Sequence, residues 1–158
     1  MADIDTRVAV YTDVVKAEGD WKALEAAAKA DEIKIADAAF VENRDDEVKI
    51  LERQTHHGWG KGAIVGAVVG IVFPPSIIAS AAFGAGGGAL ISAMMRRLGR
   101  HKVMELGTTF DSGTWAIIVA YPTEHATQVA DILKDAKSTW TGVSATDEEV
   151  EKAISDAS

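Results

Sequence analysis

The sequence predicts an α+β fold in which a split βαβ sheet is interrupted by an apolar helical insert. Three observations predict it. A strand, helix, strand pattern occurs twice, at 7–41 and at 114–144. Between the two lies the longest apolar stretch of the chain, with glycines four residues apart. Finally, 158 residues suffice for one ordinary domain with an insertion, but not comfortably for two.

Taken in order, residues 7–12 read as a short strand, and Asp13 to Ala30 as a helix. Val14, Val15, Ala17, Trp21, Leu24 and Ala28 fall mostly on one face of that helix, and Gly19-Asp20 marks a point where it could be interrupted. Residues 33–41 form a second strand, 43–46 a polar turn and 47–52 a third strand, so the pair reads as a hairpin. Beyond the insert, Gly113 precedes Thr114 to Tyr121, whose nearly continuous apolar character suits a strand buried on both faces or at the sheet centre. Pro122-Thr123 then opens a helix reaching Lys137, with Ala126, Val129, Ala130, Leu133 and Ala136 inward and His125 at its exposed start. A strand at 138–144 follows. Thr146 to Glu149 has capping-box form and begins an acidic C-terminal helix over 145–158.

Two strand, helix, strand units side by side give a sheet covered on one face by two helices, a ferredoxin-like core spanning 1–158 as a single domain. The strand at 47–52 would extend that sheet, and residues 53–113 would join the units. Trp21, Trp115 and Trp140 are expected in its core.

The insert is a glycine-zipper helical hairpin over 58–98. Gly58, Gly62, Gly66 and Gly70 recur every four residues, so they would line one face of a helix. Each interior glycine costs a helix about 1 kcal/mol relative to alanine, a cost expected only where another backbone comes close. Pro74-Pro75 ends this helix. In the return helix, Ser80, Gly84, Gly88 and Ser92 repeat the row, with Ala81, Ala85, Ala89 and Ala93 beside it. The plain alternative is a small, tightly packed core. Branched residues such as Ile64, Val68, Ile71, Ile78 and Leu90 point away from these rows, towards lipid or protein. As a helix, Gly60 to Phe73 reaches about 21 Å, short of the roughly 30 Å hydrocarbon layer, whereas Ser76 to Met95 reaches about 30 Å. A single crossing would part the two units of one sheet. A partly inserted or protein-buried hairpin therefore fits better than a full two-span anchor.

Charge is distributed unevenly. No acid occurs between Arg53 and Met104, a stretch holding Arg53, Lys61, Arg96, Arg97, Arg100 and Lys102; with a total of −8, that +6 leaves −14 elsewhere. An acidic body argues against nucleic-acid binding. Lys61, Arg96, Arg97, Arg100 and Lys102 flank the apolar insert and suit an anionic surface, although bases also cap helix C-termini. Trp59 beside Lys61 fits a lipid interface or a subunit contact equally. The N-terminus carries acids where a secretory signal carries bases, so a cytoplasmic location is expected, with membrane association open. The absence of cysteine excludes disulfides, thiolate metal sites and cysteine nucleophiles.

The candidates for chemistry are few. His56, His57 and His101 flank the insert, but adjacent histidines rarely share one ion and no acid follows before Glu105, so no metal is expected. Gly60-Lys61-Gly62 lacks the spacing of a phosphate loop and the hydroxyl after its lysine. Asp111-Ser112-Gly113 reads as a turn, and Asp45-Asp46 and Glu148-Glu149 as solvated faces. No catalytic residue and no cofactor is expected.

The order of features resembles the DUF1269 family of bacterial proteins, often labelled membrane or stress-related and without an established activity. The resemblance rests on the opening Val8 to Tyr11 strand, the run Gly60-Lys-Gly-Ala-Ile-Val-Gly66-Ala-Val-Val-Gly70 and the proline break with its glycine-rich return. Glu105-Leu-Gly107 and the Ser112-Gly-Thr114 entry to a buried strand complete it. It implies a ferredoxin-like domain with an apolar helical insert and no catalytic residues. The expectation is a non-enzymatic structural protein that homo-oligomerises through its hairpins, with a peripheral or partly inserted membrane protein as the alternative. A small-ligand carrier or enzyme using the sheet face ranks behind both.

Overall fold

The computed structural model describes residues 3–45, 47–55, 101 and 113–146. The elements are β1 (Asp3–Tyr11), α1 (Val14–Lys29), β2 (Asp37–Arg44), β3 (Glu47–Thr55), β4 (Thr114–Pro122), a 3-10 turn (Thr123–His125), α2 (Ala126–Ile132) and β5 (Ser138–Thr146). The fold is α+β, with one five-stranded sheet in the order β3-β2-β4-β1-β5 and every neighbouring pair antiparallel. The hairpin expected over 58–98 and the helix expected beyond Thr146 lie outside the described residues, and Ala145 and Thr146 themselves belong to β5.

α1 starts where Asp13 caps it, its Oδ1 accepting from the Val15 and Lys16 backbone N–H groups at 2.9 and 3.4 Å. Lys29 in the last turn suits the negative end of the helix dipole. The helix runs unbroken through Gly19. Its buried stripe is Ala17, Asp20, Trp21, Leu24, Ala27 and Ala28. Val15, expected inward, is 72% exposed, because one residue past Val14 is a 100° rotation away from the stripe.

Several strands differ from their expected bounds. β1 begins at Asp3, and β2 begins at Asp37. Ile33 and Ile35 alternate with polar residues as strand residues do, yet the backbone there is irregular; both side chains are still buried, and the Ala36 N–H donates to the Ala120 carbonyl at 2.8 Å. Asp31 adopts φ 58°, which turns the chain off the end of α1. In β3 the register slips between Phe40 and Val41 of its partner, leaving Leu51 as the extra residue, and this bulge accounts for a leucine 45% exposed.

The two helices share one face of the sheet. Ala9 and Tyr11 of β1, Ala38 and Phe40 of β2, and Ile117, Val119 and Tyr121 of β4 meet Trp21, Leu24, Val129 and Leu133 there. The Trp21 and Phe40 rings are tilted, with centroids 6.1 Å apart. α2 stops at Ile132, well short of Lys137. The Asp135 N–H, which a longer helix would use internally, instead donates to Asp20 Oδ2 at 3.1 Å, and the Lys137 N–H donates to the Val10 carbonyl at 2.8 Å as the chain enters the sheet.

A doubly buried sheet as candidate interaction surface

β4 has seven consecutive buried residues, Ala116 to Pro122, as its apolar run predicts for a central strand. Strand pairing explains why both sets of side chains are covered. Odd-numbered β4 residues meet the helices, and even-numbered ones belong to the opposite face, where the register aligns Ala39, Ile118, Val8 and Trp140 in one row. Val41, Ala116 and Val10 form the next row, and Asp37, Ala120 and Thr6 the row on the other side. No residue named in these three rows is more than 3% exposed. The central strands β2, β4 and β1 are thus buried on both faces along these rows.

The buried polar residues of this second face are Thr6, Asp37 and Asn43. A carboxylate such as Asp37, 0% exposed, is tolerated inside a protein only with hydrogen bonds or an opposite charge.

On the helix face, Tyr11 donates its hydroxyl to Asp20 Oδ2 at 2.7 Å, so one buried carboxylate ties β1, α1 and the turn before β5 together. Burial, the Asp20 hydrogen bond and the nearby Asp20 and Asp135 charges push the Tyr11 hydroxyl far above its ordinary range. Burial also raises Tyr121, against the opposing pull of the Arg7 guanidinium. Sequence reasoning passed over Asp20 because an acid in a helix ordinarily faces solvent. Its position three residues after Ala17 and four before Leu24 is the signal that it shares the buried stripe.

Of the residues singled out from the sequence, Gly58, Gly62, Gly66, Gly70, Ser80, Gly84, Gly88 and Ser92 lie outside the described residues, as do Lys61, Arg96, Arg97, Arg100, Lys102, His56 and His57. His101 is helical and exposed. His125 is less exposed than its place at a helix start suggests, its side chain being 17% exposed and 3.5 Å from Glu124. Among the described residues, no group of three or more His, Asp or Glu side chains is placed to hold a metal ion, and no helix is long and apolar enough to cross a membrane.

A family model for proteins of unknown function, DUF1269, matches residues 60–156, more than half of the 158-residue chain. The chain belongs to the DUF1269 family. In this DUF1269 protein the matched span takes in the glycine-rich insert, β4, α2 and β5, while β1, α1, β2 and β3 precede it. No curated protein and no solved structure matches the chain.

Proposed function

We propose that this DUF1269 protein is a non-enzymatic assembly protein. Its chains associate through the Gly58, Gly62, Gly66, Gly70 row and the Ser80, Gly84, Gly88, Ser92 row of a glycine-zipper helical hairpin carried on a ferredoxin-like core. The observation that carries the reading is the four-residue recurrence of small residues in both halves of the insert, a pattern costly in a helix unless another backbone packs against it. The strand order supports the core. With the edge strand β3 set aside, β2-β4-β1-β5 places each crossover helix over a strand of the other unit, as in a split βαβ arrangement. On this reading the partner is a second copy of the chain, and the site of action is the cytoplasm.

A second reading has its own observation. The acid-free stretch from Arg53 to Met104 puts Lys61, Arg96, Arg97, Arg100 and Lys102 around the apolar insert, which fits a peripheral protein on an anionic membrane. Two variants separate the readings. Gly66→Leu, placing a bulky side chain in the small-residue row, abolishes association between chains if assembly is the function. Arg96→Glu with Arg97→Glu releases the protein from anionic vesicles if membrane binding is. A wild-type chain that floats with vesicles, and whose association in their absence is unchanged by Gly66→Leu, refutes the assembly reading.

A further inference from the structure

β3 is an edge strand, and Lys49, Leu51 and Glu52 are exposed on it. Charges and bulges ordinarily guard such an edge, and β3 has both. The bulge also changes which residues share a face. Lys49 stands opposite Glu42 and Glu52 opposite Phe40, so both charges lie on the helix face although they are three residues apart. In a regular strand that separation would put them on opposite faces. From the midpoint between Ile50 and Leu51, either direction therefore leads through an apolar residue to a charge on the helix face, positive one way and negative the other. Among the described residues neither charge has an ion-pair partner.

We propose that β3 pairs antiparallel with β3 of a second copy across this midpoint, joining two five-stranded sheets edge to edge. Opposed residues of antiparallel strands share a face, which the bulge makes possible here. The register sets Lys49 of each chain against Glu52 of the other, and Ile50 against Leu51, covering a leucine that is 45% exposed. An axis through Leu51 would instead oppose Lys49 with Arg53 and Ile50 with Glu52. The two devices that repel a foreign strand thus match in a copy, which carries the same charges in reverse order and the same extra residue. A single strand edge falls short of the roughly 800 Å² per partner of a stable dimer. The pairing therefore rests on the assembly reading, forming between chains already held together, at the effective concentration that this gives. Because each β3 takes one partner, the particle contains an even number of chains.

The chain has no cysteine, so cysteines introduced singly report their own contacts. Full-length Lys49→Cys and Glu52→Cys chains, co-expressed and mildly oxidised, test the proposal, with peptide mass spectrometry identifying the links and light scattering giving the mass before oxidation. A mixed pair keeps one Lys49 to Glu52 contact beside the two opposed cysteines. The expected result is that links from position 49 to position 52 dominate. Links of 49 to 49 or 52 to 52 would join residues about 10 Å apart along the strands, beyond the reach of a disulfide. A particle of several chains without this preference, or with an odd number of chains, would overturn the pairing and leave the assembly reading intact. A chain of 16.7 kDa that forms no preferred link would overturn both. The preferred link in a chain of 16.7 kDa would support the pairing and overturn the insert as the source of association.

Discussion

Raising the pH should destabilise the fold through Tyr11, and replacing that residue by phenylalanine should remove the effect. The side chain is 1% exposed and its hydroxyl donates to Asp20 Oδ2 at 2.7 Å, so the folded state holds the phenol proton far into alkali. An acid whose pKa is raised by folding contributes stability that is intact below its unfolded value, near 10, and is lost as the pH climbs above it, since only the unfolded chain can release the proton. The slope is about 1.4 kcal/mol per pH unit, or roughly 2 kcal/mol by about pH 11.5. Tyr11→Phe forfeits a hydrogen bond to a carboxylate, a loss of about 1.5–3 kcal/mol at neutral pH, but escapes the alkaline penalty. The gap in stability between the two proteins should therefore shrink by about 2 kcal/mol from about pH 9 to pH 11.5. Urea unfolding of both proteins at stepped pH measures it, with tyrosinate absorbance following ionisation. A gap that stays constant, or a Tyr11 tyrosinate signal from the native protein near pH 10, would refute the reasoning.

Three backbone predictions follow from local geometry. Gly19 lies mid-helix and exposed, with nothing within 4 Å of an added Cβ, so Gly19→Ala should stabilise the protein by about 0.5–1 kcal/mol in urea unfolding. Gly113 adopts φ +83° as the chain enters β4, and Gly113→Ala should cost about 1–2 kcal/mol in the same assay despite the open space around it. Asp13→Ala removes the cap on Val15 and Lys16 and should lower stability by about 1 kcal/mol, with thermal melting as the readout.

Much of the architecture was legible because side-chain periodicity reports burial directly. Thr114 to Tyr121 is apolar without alternation, and the strand it forms is central and covered on both sides. Val8-Ala-Val-Tyr11 of β1, beside it in the sheet, is likewise apolar without alternation, and all four residues are buried. The misplacements have local causes. Ile33-Lys-Ile35 alternates as a strand would, but periodicity cannot distinguish a pleated strand from a loop that buries every second residue. The length of α2 escaped because Asp135 gives its N–H to Asp20, 115 residues away in sequence, a competitor that no local window contains. Strand order is likewise non-local, since the hairpin β2-β3 is visible in sequence whereas the pairing of β2 with β4 is not. The small-residue rows are legible as a pattern, and what packs against them is a property of the partner, on which spacing is silent.

The assembly reading stands or falls on the mass of the full chain in detergent-free solution. Light scattering coupled to size-exclusion chromatography should find one defined multiple of 16.7 kDa, reduced to the monomer by Gly66→Leu. A wild-type chain that is soluble and stable at 16.7 kDa across the concentration range would contradict it.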